Sequence, residues 1–461
     1  MLKQNNNNNL DYLGLGEKVP VQKMLQQKMV GVIEAVALVN SGDTVDYGFS
    51  VTQSDIFDTE LAAQKDRLKD VIVRGTLSVA ARHVIEQDPE QRHFEYQNWH
   101  FSGYDRKKSE QGGMSYIPFN FGEGPGIYRE HLKTDVLVLK ASPMDKHGYF
   151  NFGVSNTFLR ACCDIAKKIV IETSGAIPVC YGNQNTVHIT EVDAVFEGDN
   201  APLFELPSAP ISDIDRQVAD YIVPLIKDRS CLQIGIGRMP NAVCSALAHS
   251  TIKDLGIHTE MFVDGMVDLV EKGKVTGEYK QTHRGEIVYT FALGSKRMYD
   301  FIDKNELCVS IPVDETNLPN KIAQNDHVIS INNCLQIDLS GQVASESSAY
   351  RQISGTGGQL QFVRGAVASK GGKSFMCLSS RFVDKEGRSH SRIVPGLDEG
   401  TVVTTPRSDT MYVVTEFGIV NLKGKSITER ALALISIAHP DDRESLLQQA
   451  RENHIISRRY W

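Results

Sequence analysis

The 461-residue chain contains eight cysteines (Cys162, Cys163, Cys180, Cys231, Cys244, Cys308, Cys334 and Cys377) but no Cys-x-x-Cys pair. That absence removes the usual zinc frameworks and dithiol redox motifs. Most of the eight sit in apolar runs, as small buried hydrophobes do in a reducing compartment. Adjacent Cys162 and Cys163 suggest a thiol nucleophile, but no neighbouring residue offers activation. No apolar run reaches the length of a membrane span, and the opening MLKQNNNNNLDYLGLGE lacks the apolar core of a signal peptide. The expectation is a cytoplasmic protein with no membrane partner and no metal. Basic residues are not in excess (49 Lys and Arg against 57 Asp and Glu, net −8), which argues against nucleic acid as a partner.

What is present is ordinary globular composition, 41% hydrophobic and 23% charged, in a chain long enough for two to three domains. The Asn5–Asn9 tract reads as a fraying terminus. A helical pattern runs from about Val21 to Asn40 and ends at Ser41-Gly42-Asp43. Then come a strand at Thr44–Phe49, a helix near Ser54–Gln64 and a strand at Lys69–Gly75, a βαβ unit. Strands follow at the start of Val136–Gly153 and at Ala166–Thr173. They are continuous Val/Ile/Leu runs, the pattern of a parallel sheet covered on both faces.

Gly198–Ile211, with three prolines, reads as a linker, and Ser212-Asp213-Ile214-Asp215 opens a helix with a capping arrangement. The layout then recurs. Cys231–Phe262 repeats strand, glycine, helix, Lys-Asp, strand, and Val328–Val343 echoes Val136–Phe152, with Asp338 and Gly341 placed like Asp145 and Gly148. The fold class is therefore α/β: two tandem similar domains, residues 1–211 and 212–461, meeting at a cleft.

Two glycine turns stand out. At Gly235–Gly237 the third position of a dinucleotide fingerprint is Pro240, so a nicotinamide site is a poor match. In Ser354–Lys373, Gly355, Gly357 and Gly358 let backbone approach a ligand and present N–H groups to an anion; a tight turn within a sheet explains them equally well. Between these turns, Ile257–Phe262 alternates like a strand and carries one carboxylate, Glu260. In isolation that is a solvated edge residue, but the glycine turns on either side single it out.

Six segments in one consistent order, from about Val30 to the C-terminus, carry a resemblance: MDKHGYFNFG, GIGRMPNAV, DLGIHTEMFVDG, SINNCLQIDLSGQV, GTGGQLQFVRGA and ALISIAHPDDRESL. Together they resemble family I CoA-transferases, and within them the acetyl-CoA hydrolase/transferase group, which holds butyryl-CoA:acetate and 4-hydroxybutyrate CoA-transferases. The resemblance implies two CoA-transferase-type α/β domains, a homo-oligomer (dimer or tetramer), and coenzyme A as bound substrate and covalent intermediate. It implies Glu260 as nucleophile, Asn332 and the Gly357-Gly358 backbone as oxyanion donors, and Gly355–Gln359 (Gly355, Gly357, Gly358, Gln359) as the contact for pantetheine or pyrophosphate. Lys370 and Lys373 are candidates for the CoA phosphates, and Gly235, Gly237 and Arg238 for the substrate. With an ordinary carboxylate pKa of about 4.3, Glu260 is expected to be ionised at neutral pH and to need no general base.

Three positions depart from the family pattern in the same electrostatic direction: Arg238 for a small residue, Gln361 for an acid, and the added charge of Arg364. They suggest an acyl pocket that accepts a second carboxylate, as in succinate or itaconate; an arginine paired with a surface acid or a CoA phosphate is the alternative. Gly122–Gly126 (GEGPG) also departs from the usual Ser-Glu-x-Pro. The readings left open are a transferase between short-chain carboxylates, a hydrolase on the same scaffold, and a non-catalytic nucleotide-binding protein.

Overall fold

The computed structural model describes residues 20–207 and 210–461. The Asn5–Asn9 tract lies outside them. The chain divides into two compact units, one of residues 1–119, 123–205 and 299–314, the other of residues 120–122, 206–298 and 315–461.

The first unit is built on a seven-stranded parallel sheet. Its strands are β1 (Thr44–Tyr47), β2 (Val71–Gly75), β3 (Phe94–Asn98), β4 (Ser115–Tyr116), β5 (Val136–Ala141), β6 (Lys168–Thr173) and β7 (Ala194–Glu197), in the order β7-β6-β5-β1-β2-β3-β4. Val45 pairs with Val73 on one side and Val136 on the other. Every residue of β5 is buried, which is why its sequence shows no alternation. Charges buried in the sheet are paired locally: Arg74 grips Asp46 with two hydrogen bonds of 2.8 and 2.6 Å, and Lys140 on β5 meets Glu172 on β6 at 3.2 Å. Helix Asp55–Ala63 follows β1, capped by Ser54, whose hydroxyl accepts from the Phe57 N–H at 3.0 Å.

The expected helix from Val21 to Asn40 is broken. Helices span Val21–Lys28 and Val32–Val36, and between them Met29 bridges to Val195 while Val30 N–H donates to the Val195 carbonyl at 2.9 Å. Strand β7 is the sheet's edge, and pairing its open carbonyl outweighs continuing the helix.

The second unit holds a six-stranded sheet of β8 (Cys231–Ile234), β9 (Gly256–Ile257), β12 (Val328–Asn333), β13 (Lys373–Cys377), β14 (Tyr412–Thr415) and β15 (Gly418–Asn421), ordered β9-β8-β12-β13-β14-β15 and parallel except for the final hairpin. A separate short parallel pair is β10 (Met261–Phe262) with β11 (Phe291–Ala292). The Ser212 capping box forms as expected: Asp215 N–H donates to the Ser212 hydroxyl and Ser212 N–H to the Asp215 carboxylate.

The internal echo is physical. In the first unit Asp145 Oδ1 accepts from the N–H groups of His147 and Tyr149, and Gly148 N–H returns to the Asp145 carbonyl. In the second, Asp338 Oδ1 accepts from Ser340 and Gln342, and Gly341 N–H returns to the Asp338 carbonyl. Gly148 and Gly341 have φ of +92° and +98°, a conformation that only glycine adopts without strain.

Candidate active site

Glu260 does not lie inside one continuous strand, as its alternating neighbours suggest. The chain leaves β9 after Ile257, and β10 begins only at Met261. In the gap, Thr259 N–H donates to the Val288 carbonyl, and the Glu260 carbonyl accepts from both Thr290 and Phe291 N–H. The backbone thus passes from one sheet to another at this residue. Alternation is a property of paired strand, and here the pairing changes partner, so the Glu260 side chain is free to point elsewhere.

It points at two donors. Asn317 Nδ2, at the end of the short helix Val313–Asn317, donates to Glu260 Oε2 at 2.5 Å. The Gly358 N–H also donates to the carboxylate. Gly358 immediately precedes helix Gln359–Ala368, so the carboxylate also sits at a helix N-terminus, where the backbone dipole favours negative charge. Gly358 is a glycine for reasons of space: a Cβ there would lie 2.0 Å from Glu260 Oε2 and 2.2 Å from Asn317 Nδ2. Gly357, at φ +55°, is a glycine for reasons of conformation.

Burial nevertheless dominates the electrostatics. Desolvation lifts the Glu260 carboxyl to about 7, against the smaller downward pull of Asn317 and Gly358. This corrects the expectation of an ordinary carboxylate. At neutral pH the group divides between its two forms, and its ionised form is a stronger base and nucleophile than a surface glutamate.

Residues 120–122 pack in the same unit around these groups. Phe121 N–H donates to the Gly357 carbonyl (3.1 Å), Gly122 N–H to Gln361 Oε1 (2.8 Å), and the Phe121 ring meets Phe291 edge-on. A Cβ on Gly122 would come within 3.0 Å of the Gln361 amide and the Asn317 Cβ. The GEGPG departure therefore supplies the small residue that this contact requires, and Gln361 braces backbone.

Asn332 is placed differently from expectation. It is the last residue but one of β12, beside β8, where its Nδ2 donates to Ser330 (2.9 Å) and Gln233 (3.2 Å), and its Oδ1 accepts from Gln233 (3.1 Å). Both amide protons are committed to that buried cluster. Gly235 adjoins the cluster, its own N–H donating to the Ile331 carbonyl. Gly237, at φ +119°, starts helix Arg238–His249. Arg238 is 57% exposed and reaches Asp215 only loosely, at 3.7 Å.

Arg364 pairs with Asp409 through two bonds of 3.2 Å, so the three departures do not form one cationic cluster. Gln359 Nε2 donates to Thr405. Lys370 and Lys373 lie beyond the far end of the helix that Gly358 begins, about 15 Å along its axis at 1.5 Å per residue. Lys373 donates to the Leu225 carbonyl, and Lys370 is exposed near Asp326. The structure does not bring these lysines to the glycine loop.

All eight cysteines are buried and free, and burial pushes the Cys163 thiol up to about 12 and raises that of Cys162 well above its ordinary value, which leaves neither as a nucleophile. Among the described residues, no cluster of His, Cys, Asp or Glu is arranged to hold a metal, and no helix is long and apolar enough to cross a membrane.

The acetyl-CoA hydrolase/transferase N-terminal domain model matches residues 15–206, and the C-terminal domain model of the same family matches residues 294–450. The chain belongs to this family. A butyryl-CoA:acetate CoA-transferase of Anaerostipes caccae is 44% identical over 94% of this chain and 98% of its own. A succinyl-CoA:cyclohexane-1-carboxylate CoA transferase of Geobacter metallireducens is 42% identical over the same shares. Among solved structures, RipA from Yersinia pestis superposes with a TM-score of 0.86 at 37% identity, covering 95% of this chain and all of that one.

The family resemblance read from the six motifs is thus borne out, as is the α/β class with two family domains in tandem. The residue that sequence reasoning missed is Asn317. Its only signal is the run Thr316-Asn317-Leu318-Pro319, where a proline two residues on ends the helix and frees the asparagine amide for use elsewhere.

Proposed function

We propose that this protein is a CoA-transferase that moves CoA from a short-chain acyl-CoA, such as butyryl-, 4-hydroxybutyryl- or acetyl-CoA, to an acceptor carboxylate such as acetate. The observation that carries the reading is Glu260, a half-buried carboxylate held by Asn317 Nδ2 and the Gly358 N–H at a helix N-terminus.

Glu260 attacks the thioester carbonyl; a C–O bond forms, the C–S bond breaks, and CoA leaves as thiolate. The thiolate then attacks the glutamyl carbonyl of the acyl-glutamyl anhydride, releasing the first acid and leaving a glutamyl-CoA thioester. The acceptor carboxylate attacks that thioester, and the returning thiolate takes the new acyl group and restores Glu260. One thioester is exchanged for another, so the sequence needs no energy source and no metal.

Gln233 and Ser330 occupy the amide of Asn332, so we assign to Asn317 and Gly358, which already hold the Glu260 carboxylate, the oxyanion that forms on the glutamyl carbonyl when thiolate or acceptor attacks it. An isolated donor of this kind is worth about 3–4 kcal/mol in the transition state. The Gly355–Gln359 turn is assigned to pantetheine or pyrophosphate, whose binding energy holds the thioester against Glu260.

The test is to supply butyryl-CoA with and without acetate and to quantify acetyl-CoA and free CoA together. Stoichiometric acetyl-CoA supports transfer. Free CoA released at the same rate without acetate makes the protein a hydrolase instead.

A dicarboxylate acceptor is the second reading. It rests on Arg238, whose exposed guanidinium at the first turn after Gly237 is only loosely held by Asp215. Equal succinate rates in wild type and Arg238→Ala would remove it.

A further inference from the structure

His258 lies two residues before Glu260 and is 3% exposed. Its Nε2 is 2.8 Å from the carbonyl oxygen of Thr316, the residue before Asn317. A carbonyl only accepts, so Nε2 carries a proton, and burial holds the imidazolium pKa down at about 3, which leaves the ring neutral with Nδ1 bare. Nδ1 is buried with no hydrogen-bond partner. Thr316 in turn donates its hydroxyl to Asn317 Oδ1 at 2.9 Å, which turns the amide so that Nδ2 faces Glu260.

The ring also lies against the third element of the site. Its centroid is 6.4 Å from that of Phe362, one turn into the helix that Gly358 begins. The backbone on the glutamate side is tied down: His258 N–H donates to the Leu232 carbonyl, and buried Lys280 donates to the carbonyls of Ile257 and Glu286. The imidazole therefore touches each of the three segments that supply the nucleophile and its two donors.

We infer that His258 is a positioning residue: its Nε2–H bond to Thr316 sets the separation between Glu260 and the Asn317 amide. It touches no reacting atom. The inference rests on the CoA-transferase reading with Glu260 as nucleophile.

The geometry distinguishes this role from simple packing. Glutamine places its Nε2 at the same bond count from Cα as the imidazole Nε2, whereas asparagine places its nitrogen where Nδ1 stands. His258→Gln keeps the donor that matters; His258→Asn and His258→Leu lose it.

The experiment compares these three variants with wild type, after confirming a cooperative thermal transition for each. Misplacing a reacting group by about 1 Å costs on the order of 100-fold. His258→Leu and His258→Asn are expected to lose about 10- to 100-fold in kcat with KM for butyryl-CoA within about threefold, and His258→Gln to retain kcat within about fivefold. The acidic limb of the kcat profile should move to higher pH in the Leu and Asn variants, because a looser Asn317 bond no longer favours the ionised carboxylate.

Equal losses in the Gln and Asn variants, or a wild-type kcat and pH limb in a folded His258→Leu, would overturn the inference. If His258→Leu does not fold, the Gln and Asn pair still decides. Wild-type protein without transfer activity would defeat the functional reading and not this one. In that case a crystal structure of His258→Asn decides: an Asn317–Glu260 bond at its original length overturns the positioning role, and a lengthened one supports it.

Discussion

Asn317→Ala removes one of the two donors on Glu260. The bond is short, 2.5 Å, and made to a carboxylate in a desolvated site. In such a site each preorganised donor contributes about 2.7–4 kcal/mol, or about 100- to 1,000-fold in kcat. Gly358 N–H remains, so the variant keeps residual catalysis. Asn317 also favours the ionised carboxylate, so its loss raises the carboxyl above about 7 and moves the acidic limb of the pH profile upward. KM for butyryl-CoA should change by less than about threefold, because the bond serves the reacting carboxylate and not the bulk of CoA. The assay is acetyl-CoA formation from butyryl-CoA and acetate between pH 5.5 and 9, with Asn332→Ala alongside. A folded Asn317→Ala within threefold of wild type, with Asn332→Ala down 100-fold or more, would return the oxyanion role to Asn332 and refute the reasoning.

Gly358→Ala should abolish transfer, since its Cβ would overlap the Glu260 carboxylate and the Asn317 amide; wild-type rates in this variant would mean the loop moves away during catalysis. Glu260 also carries a stability signature. Its carboxyl is raised from about 4.5 to about 7 in the folded protein, so the native state binds the proton more tightly, and stability is lost as pH rises from about 4.5 through 7. A shift of that size corresponds to about 3 kcal/mol, so Glu260→Gln should melt higher than wild type at pH 8 and converge with it near pH 4.5, as calorimetry would show. Arg74→Ala strands buried Asp46 and should cost about 3–5 kcal/mol by urea unfolding. Cys162→Ser and Cys163→Ser should leave transfer activity within twofold; a dead, folded variant would revive the thiol reading.

Much of this architecture was legible because each feature has a local cause. The Val/Ile/Leu runs of β5 and β12 report burial on both faces, and Asp145 with Gly148 writes the same turn as Asp338 with Gly341. Glu260 and Gly358 were found through the glycine turns and the family motifs. What escaped depends on tertiary pairing. Nothing in Val21–Asn40 shows that β7 offers Val195 to Met29 and Val30. Nothing near Asn332 shows that Gln233 and Ser330 take its amide, and nothing in Thr316–Pro319 shows that Glu260 lies 57 positions upstream of its donor. The raised pKa of Glu260 is a burial effect that outweighs the pull of Asn317 and Gly358, and it exists only once the surrounding chain is packed in place.

The central claim is that Glu260 becomes covalently attached to CoA. Its most direct test is the intact mass of wild type and Glu260→Gln after brief exposure to butyryl-CoA. The account predicts a CoA-sized adduct on wild type alone, discharged by acetate with release of acetyl-CoA. An adduct of that size on both proteins would contradict it, because the nucleophile would then be another residue.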